Sequence, residues 1–136
     1  MNKKTFIFFM TAIAIFGLAS CLSTQGSNQN SKTSLDWAGV YTGTIPSASG
    51  SGINVRLKLS QDQSYELRYE YLDKPDNSFT FKGTFKWDDT GNIVILEIAD
   101  APSHYKVVKN KLIQMDMEGK PIKGRLANNY VLKKTG

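Results

Sequence analysis

This chain has a single cysteine, Cys21, and a single histidine, His104, among its 136 residues. One thiol excludes an intrachain disulfide, and one imidazole excludes a multi-histidine metal site within the chain. Long apolar runs are also missing. The longest uncharged, mostly apolar stretch, Thr5 to Ser20, covers 16 residues, short of the roughly 20 that a membrane-spanning helix needs. No block of one charge sign is present. Lys3 and Lys4 account for two units of the formal +5, and Glu66, Glu70, Asp73, Asp76, Asp88 and Asp89 interrupt the remaining lysines. Such a scattered surface is not a nucleic-acid footprint, and no nucleic-acid partner is expected. Apolar residues recurring at helical spacing over a useful length are absent too.

What is present begins with an export signal. Lys3 and Lys4 precede the apolar stretch, and Leu18-Ala19-Ser20-Cys21 closes it. A basic start, a short apolar region and small residues before a cut describe a cleaved signal peptide, 1–20. The last four residues are similar to the bacterial lipobox, which implies that Cys21 becomes the lipidated first residue of the mature protein. Several acyl chains, each methylene contributing about 0.8 kcal/mol, would hold the protein firmly on a membrane. Residues 21–35, rich in Ser, Asn and Gln, read as a flexible tether, because they carry too little apolar surface to offset the entropy of ordering. Leu22 follows the cysteine where some inner-membrane lipoproteins carry aspartate. By that likeness the expected location is the outer membrane of a bacterial envelope.

From Trp37 onward the period is two. Ile53, Val55, Leu57 and Leu59 alternate with polar neighbours; so do Tyr65, Leu67, Tyr69 and Tyr71, and then Phe79, Phe81, Gly83, Phe85 and Trp87. Runs of this kind bury one face and wet the other. Further strands are predicted at 37–44, 92–98, 104–108, 111–116 and 129–133. About eight short strands with turn signals between them predict an all-β domain over 36–136, a small antiparallel up-and-down β-barrel, with a two-sheet sandwich as the alternative. Closure removes the exposed edges of a flat sheet, and Gly83 in mid-strand suits a close approach at a barrel wall.

The inward aromatic set, Tyr65, Tyr69, Tyr71, Phe79, Phe81, Phe85 and Trp87, is expected to fill the interior. A barrel of this size can also hold one small ligand, so a small hydrophobic ligand is the competing use. The loop holding Ser47, Ser49, Gly50 and Gly52 is a candidate recognition element, since loops positioned by a rigid sheet often carry binding; flexible turn formation explains the glycines equally. Met115 and Met117 are soft metal ligands two apart, but packing at the barrel mouth accounts for them more simply. No cofactor is expected. The serines near residue 49 lack the strand-to-helix elbow of a hydrolase nucleophile, and His104 is the sole imidazole base. Asp88 and Asp89 are adjacent in a turn, and turn formation explains both. The chain is not expected to be an enzyme.

Several segments, in order, resemble one family. These are Asp36-Trp37-Ala38-Gly39-Val40-Tyr41-Thr42-Gly43-Thr44-Ile45-Pro46, Gly83-Thr84-Phe85 with Trp87, Tyr105-Lys106-Val107, Leu112, Asp116-Met117-Glu118-Gly119-Lys120-Pro121-Ile122 and Asn129-Tyr130-Val131-Leu132. Together they are similar to the N-terminal domain of the NlpE envelope lipoproteins. The resemblance implies a lipocalin-like β-barrel, in a family associated with the Cpx envelope-stress pathway, surface contact and copper tolerance. At the positions of the family's Cys-Ala-x-Cys this chain carries Ser47 and Gly50. Copper or redox chemistry through that loop is therefore not expected, because a hydroxyl and a glycine cannot replace two thiolates. The family's second domain has no counterpart before Gly136, so signalling that needs it is not expected either. The resulting expectation is a non-enzymatic, membrane-anchored sensor or adaptor that touches an envelope protein. The alternative is a carrier or scavenger of a small hydrophobic ligand or weakly bound copper.

Overall fold

A computed structural model describes residues 29–136, apart from 49 and 75. The signal peptide, Cys21, the first part of the tether and Ser49 lie outside the described residues.

Eight strands follow one another: β1 (Gly39–Ile45), β2 (Ile53–Leu59), β3 (Ser64–Tyr71), β4 (Ser78–Trp87), β5 (Ile93–Leu96), β6 (His104–Val108), β7 (Lys111–Gln114) and β8 (Val131–Lys134). Each pairs antiparallel with the next, and β8 pairs back onto β1, so the sheet is a closed up-and-down barrel. The barrel, not the sandwich, is the fold. Alternation drives it: Tyr41, Leu57, Leu67, Val94, Tyr105, Leu112 and Leu132 are fully buried, one or more from nearly every strand. Their polar neighbours face water, as half-buried strands require.

Two glycines sit where the barrel leaves little or no room for a side chain. A Cβ on Gly43 would lie 2.6 Å from the Val131 carbonyl oxygen and 2.9 Å from Leu132 Cδ2, where β1 and β8 shut the barrel. A Cβ on Gly83 would come within 3.1 Å of the Tyr65 ring, its cross-strand partner. That ring fills the space over the glycine and donates its hydroxyl to the Glu97 carbonyl at 2.9 Å.

In an up-and-down meander, successive connections alternate between the two ends. The base carries the β2–β3, β4–β5 and β6–β7 turns, and the chain enters there. Residues Ser31–Ser34 form α1, one helical turn capped by Asn30, whose side chain accepts from Thr33 N. Lys32 N donates to the Gly91 carbonyl, Ser31 N to Asn92 Oδ1 and the Ser31 hydroxyl to the Val107 carbonyl. The last residues of the expected tether are thus hydrogen-bonded to the barrel, because side-chain caps supply what apolar burial does not. Trp37 precedes β1 rather than joining it. Its ring meets Phe85 edge-on at 5.8 Å and Trp87 at 5.4 Å, and its Nε1 donates to the Lys32 carbonyl.

The rim carries longer connections: 46–52, 72–77, 97–103 and 115–130. The last contains a bridge between Met115 and Pro121 and a 3-10 turn, Ala127–Asn129, so β7 and β8 are shorter at that end than alternation predicts. Asn129 belongs to the turn, not to a strand.

Candidate functional site

The rim is where large apolar side chains meet water. Leu72, Phe79, Met117 and Leu126 are the exposed large hydrophobic residues among those described, 39% to 56% exposed, and all four sit at this end. Leu72 lies just after β3, Phe79 starts β4, and Met117 and Leu126 ride the β7–β8 connection. The rim parts are tied together. Leu72 N donates to the Gly52 carbonyl at 3.1 Å, and the Leu72 side chain lies in van der Waals range of a Cβ placed on Gly52.

The β1–β2 loop is built by backbone geometry. Gly50 and Gly52 have φ of 89° and 98°, a region that favours glycine. Ser47 accepts from Gly50 N through its carbonyl and from Gly52 N through its hydroxyl, at 3.1 and 3.0 Å. Pro46, Ser47, Gly50 and Gly52 form one wall of a shallow groove of about 400 Å³, with Leu126 and Asn129 opposite. The structure thus brings the predicted loop residues, other than Ser49, beside an apolar side chain that periodicity did not single out. Leu126 follows a polar stretch and belongs to no strand, so only the path of the 115–130 connection reveals it.

The aromatic set divides. Tyr65, Tyr69 and Phe85 are buried; Tyr71, Phe81 and Trp87 are half-buried. Phe79 is 46% exposed, which corrects the expectation that all seven lie in the core. Its parity is inward, but β5 pairs with β4 only at Phe85, Lys86 and Trp87, so the wall opposite the start of β4 is missing. Phe79 leans edge-on against Tyr71 at 6.0 Å, and Phe81 against Tyr69 at 6.1 Å.

Inside the barrel, the Tyr69 and Tyr105 hydroxyls and Gln114 Oε1 are buried without a hydrogen-bond partner of good geometry. Tyr105 and Gln114 are directly opposite on β6 and β7, and the two hydroxyls are near neighbours. Burial raises the Tyr105 hydroxyl pKa well above its ordinary value and raises that of Tyr69 as well. Buried polar atoms normally have partners, so this trio marks a spot where a water or a ligand's polar group would be held.

Metal chemistry is not supported by the donors. Ser47 is engaged in its loop, and Gly50 brings no donor atom. Met115 is buried while Met117 stands in solvent, so the two are not brought to one surface. No cluster of three or more His, Cys, Asp or Glu side chains occurs among the described residues. The residues of this loop do not fit a copper site. His104 has its Nδ1 3.0 Å from the Ser103 hydroxyl, and its ring lies against Gly119, where a Cβ would come within 2.8 Å. Gly119 adopts φ 82°, and Asp116 accepts from the backbone of Glu118 and Lys120. This histidine, at the start of β6, packs against that turn. Asp88 does likewise: its Oδ1 accepts from Gly91, Ile93 and Asn92 N and from the Thr90 hydroxyl.

Comparison with known proteins agrees with this architecture. The family described as the NlpE N-terminal domain matches residues 41–125, more than half of the chain. Lipoprotein NlpE of Escherichia coli (strain K12) is 26% identical over 142 residues, covering 98% of this chain and 58% of its own length. The chain therefore spans a little over half of that relative. A crystal structure from Shewanella oneidensis, of a protein assigned as a lipoprotein, superposes with a TM-score of 0.71. It is 44% identical and covers 79% of this chain and 96% of that one. The Cpx pathway activator NlpE from Escherichia coli superposes with a TM-score of 0.52 at 24% identity, over 64% of this chain and 46% of that one, a likeness of fold alone. On its barrel, its order of motifs and the matched span, this chain belongs to the NlpE N-terminal domain family.

Proposed function

We propose that this chain is a membrane-anchored lipoprotein of the bacterial envelope, held through Cys21 in the outer membrane, that works as a sensor or adaptor through its rim. Family membership supports a non-enzymatic role in the envelope. One observation carries the reading: the four exposed large apolar side chains lie at the rim, while the chain enters at the base. An anchor at Cys21 would hold the base toward the membrane and turn the rim away from it. Apolar side chains clustered at one end of a soluble domain mark contact surfaces. The relative from Escherichia coli is a Cpx pathway activator; contact with an envelope-stress component is the corresponding role here.

In-cell crosslinking of the full chain, followed by mass spectrometry, tests the reading. A specific envelope protein is expected to be captured by the wild type, less by Leu126→Ser, and not by Cys21→Ser, which cannot be lipidated. Equal capture by all three would end it.

A second reading is favoured by the buried polar cluster of the Tyr69 and Tyr105 hydroxyls, which neighbour one another, and Gln114 Oε1. A small ligand with an apolar body and one polar group could satisfy them, making the barrel a carrier. Native mass spectrometry of the purified chain would then show one added mass in stoichiometric amount. A bare mass leaves water as the occupant and removes the carrier.

A further inference from the structure

One stretch of β4 has no neighbour on its second side. Phe85 N donates to the Gln63 carbonyl at 2.9 Å and Tyr71 N to the Asn77 carbonyl at 3.3 Å, so the odd-numbered positions of β4 bond to β3. Even-numbered positions present their N–H and C=O the opposite way, and there the Thr84 carbonyl accepts from Glu97 N at 2.9 Å. Pairing with β5 begins only at Phe85. Among the described residues, no strand borders Ser78, Thr80 and Lys82 on that side. An edge of unpaired peptide groups is a template for another strand, and here it runs beside the 46% exposed Phe79.

We infer that this edge pairs with the same edge of a second copy, antiparallel, with Thr80 opposite Thr80 across a two-fold axis. The register follows from parity. Only even positions offer outward donors and acceptors, and centring on Thr80 sets Ser78 against Lys82 of the second copy. All three outward-facing residues then exchange hydrogen bonds. Phe79 falls opposite Phe81 of the second copy, a non-hydrogen-bonded position where side chains approach closely. Both exposed rings are thereby covered.

Charge on the outer face agrees with a second copy. Lys82 already stands 3.7 Å from Glu66 on its own β3. In the paired sheet its other neighbour is Ser78 of the second copy, beyond which lies Glu70, the partner of Ser78 on β3. Lysine is thus bracketed by carboxylates, and the two arginines at position 68 are separated by the two threonines. No like charges become direct neighbours. A two-fold contact of this kind closes on itself and does not propagate into a fibre.

The test uses the full-length chain with Cys21→Ser, purified in mild detergent, so that an added cysteine is the sole thiol. Directly opposite Cα atoms in a hydrogen-bonded pair lie about 5.5 Å apart, within the range of roughly 4.4–6.8 Å that a disulfide spans. Thr80→Cys oxidised with diamide is expected to run at twice the 15.1 kDa chain mass. Thr42→Cys, on the outer face of β1, is expected to stay single. Ser78→Cys and Lys82→Cys are each expected to crosslink weakly alone, because identical residues would lie about 14 Å apart, and strongly when mixed. Thr80→Pro removes one outward N–H at a position where an edge strand tolerates proline, and should weaken dimerisation at least fivefold in sedimentation of the otherwise unaltered chain. Thr80→Cys crosslinking no better than Thr42→Cys would overturn the proposal. So would equal crosslinking of Ser78→Cys alone and mixed, or a wild-type chain that sediments as a monomer at its highest soluble concentration.

Discussion

The base and the rim of this barrel are made from the same strands, yet they solve opposite problems. At the base the turns are short and the gap is closed by Trp37, packed against Phe85 and Trp87. Lys134 Nζ ties the last strand to the segment that enters the barrel, lying 3.3 Å from Asp36 Oδ2 and donating to the Asp36 carbonyl at 2.7 Å. The Tyr41 hydroxyl donates to the Trp37 carbonyl at 2.7 Å, fully out of water. At the rim the connections are long, one wall is incomplete, and apolar side chains stay wet. Stability is concentrated where the chain enters, and surface free for contact is concentrated at the far end. That division suits the anchoring through Cys21 proposed above.

The comparison breaks most visibly through Trp37. Trp37→Ala removes the plug and leaves a cavity between Phe85 and Trp87; a loss of about 3–5 kcal/mol is expected from denaturant unfolding. Alkali should attack the same end. Burial first, and the Asp36 carboxylate second, push the Tyr41 hydroxyl pKa up to about 12. An unfolded tyrosine releases its proton near pH 10, so the folded chain holds more protons above that point. The Tyr41 contribution to stability should be level below about pH 10 and fall as pH rises toward 12. A Tyr41→Phe variant monitored by circular dichroism should show a shallower decline.

A smaller effect is expected at the β4–β5 turn. Asp88→Ala removes an acceptor for several backbone N–H groups and should cost about 1–2 kcal/mol. Burial opposes ionisation of Asp88, but the hydrogen bonds from Thr90, Ile93, Asn92 and Gly91 outweigh it and hold its pKa below the usual carboxylate value. Its contribution is present above the ordinary carboxylate pKa and disappears as pH falls through the lowered one. An acid titration of wild type against Asp88→Ala should converge only at low pH. The smallest stability effect belongs to the rim: Phe79→Ser should change unfolding free energy by no more than about 0.5 kcal/mol. If Phe79→Ser proved as costly as Trp37→Ala, the contrast between the two ends would be false.

Much of the barrel could be read from alternation. The strands from Ile53 to Leu59 and from Tyr65 to Tyr71 lie where period two puts them, and Gly83 has the close approach its mid-strand position suggested. Phe79 departs from the pattern because alternation reports which way a side chain points, not whether a wall stands opposite it. Helix α1 is not legible in the sequence, because a four-residue turn held by Asn30 and by bonds to Asn92 and Val107 has no periodicity. Leu126 is illegible for a similar reason: its exposure depends on a connection that makes one bridge and one 3-10 turn. The buried polar cluster of Tyr69, Tyr105 and Gln114 has no local signal, since its members come from three strands that only closure brings together.

The sequence by itself determined the all-β class, the inward face of each strand and the place of nearly every turn, because these depend on neighbours one or two residues apart. It also carried the family likeness and the loss of the cysteine pair at Ser47 and Gly50. Only the tertiary structure decided that the sheet closes, that Trp37 seals one end, and that β5 is too short to cover the start of β4. Those outcomes depend on contacts between residues far apart in the chain, such as Gly43 against Val131 or Thr84 against Glu97, whose distances no local pattern records.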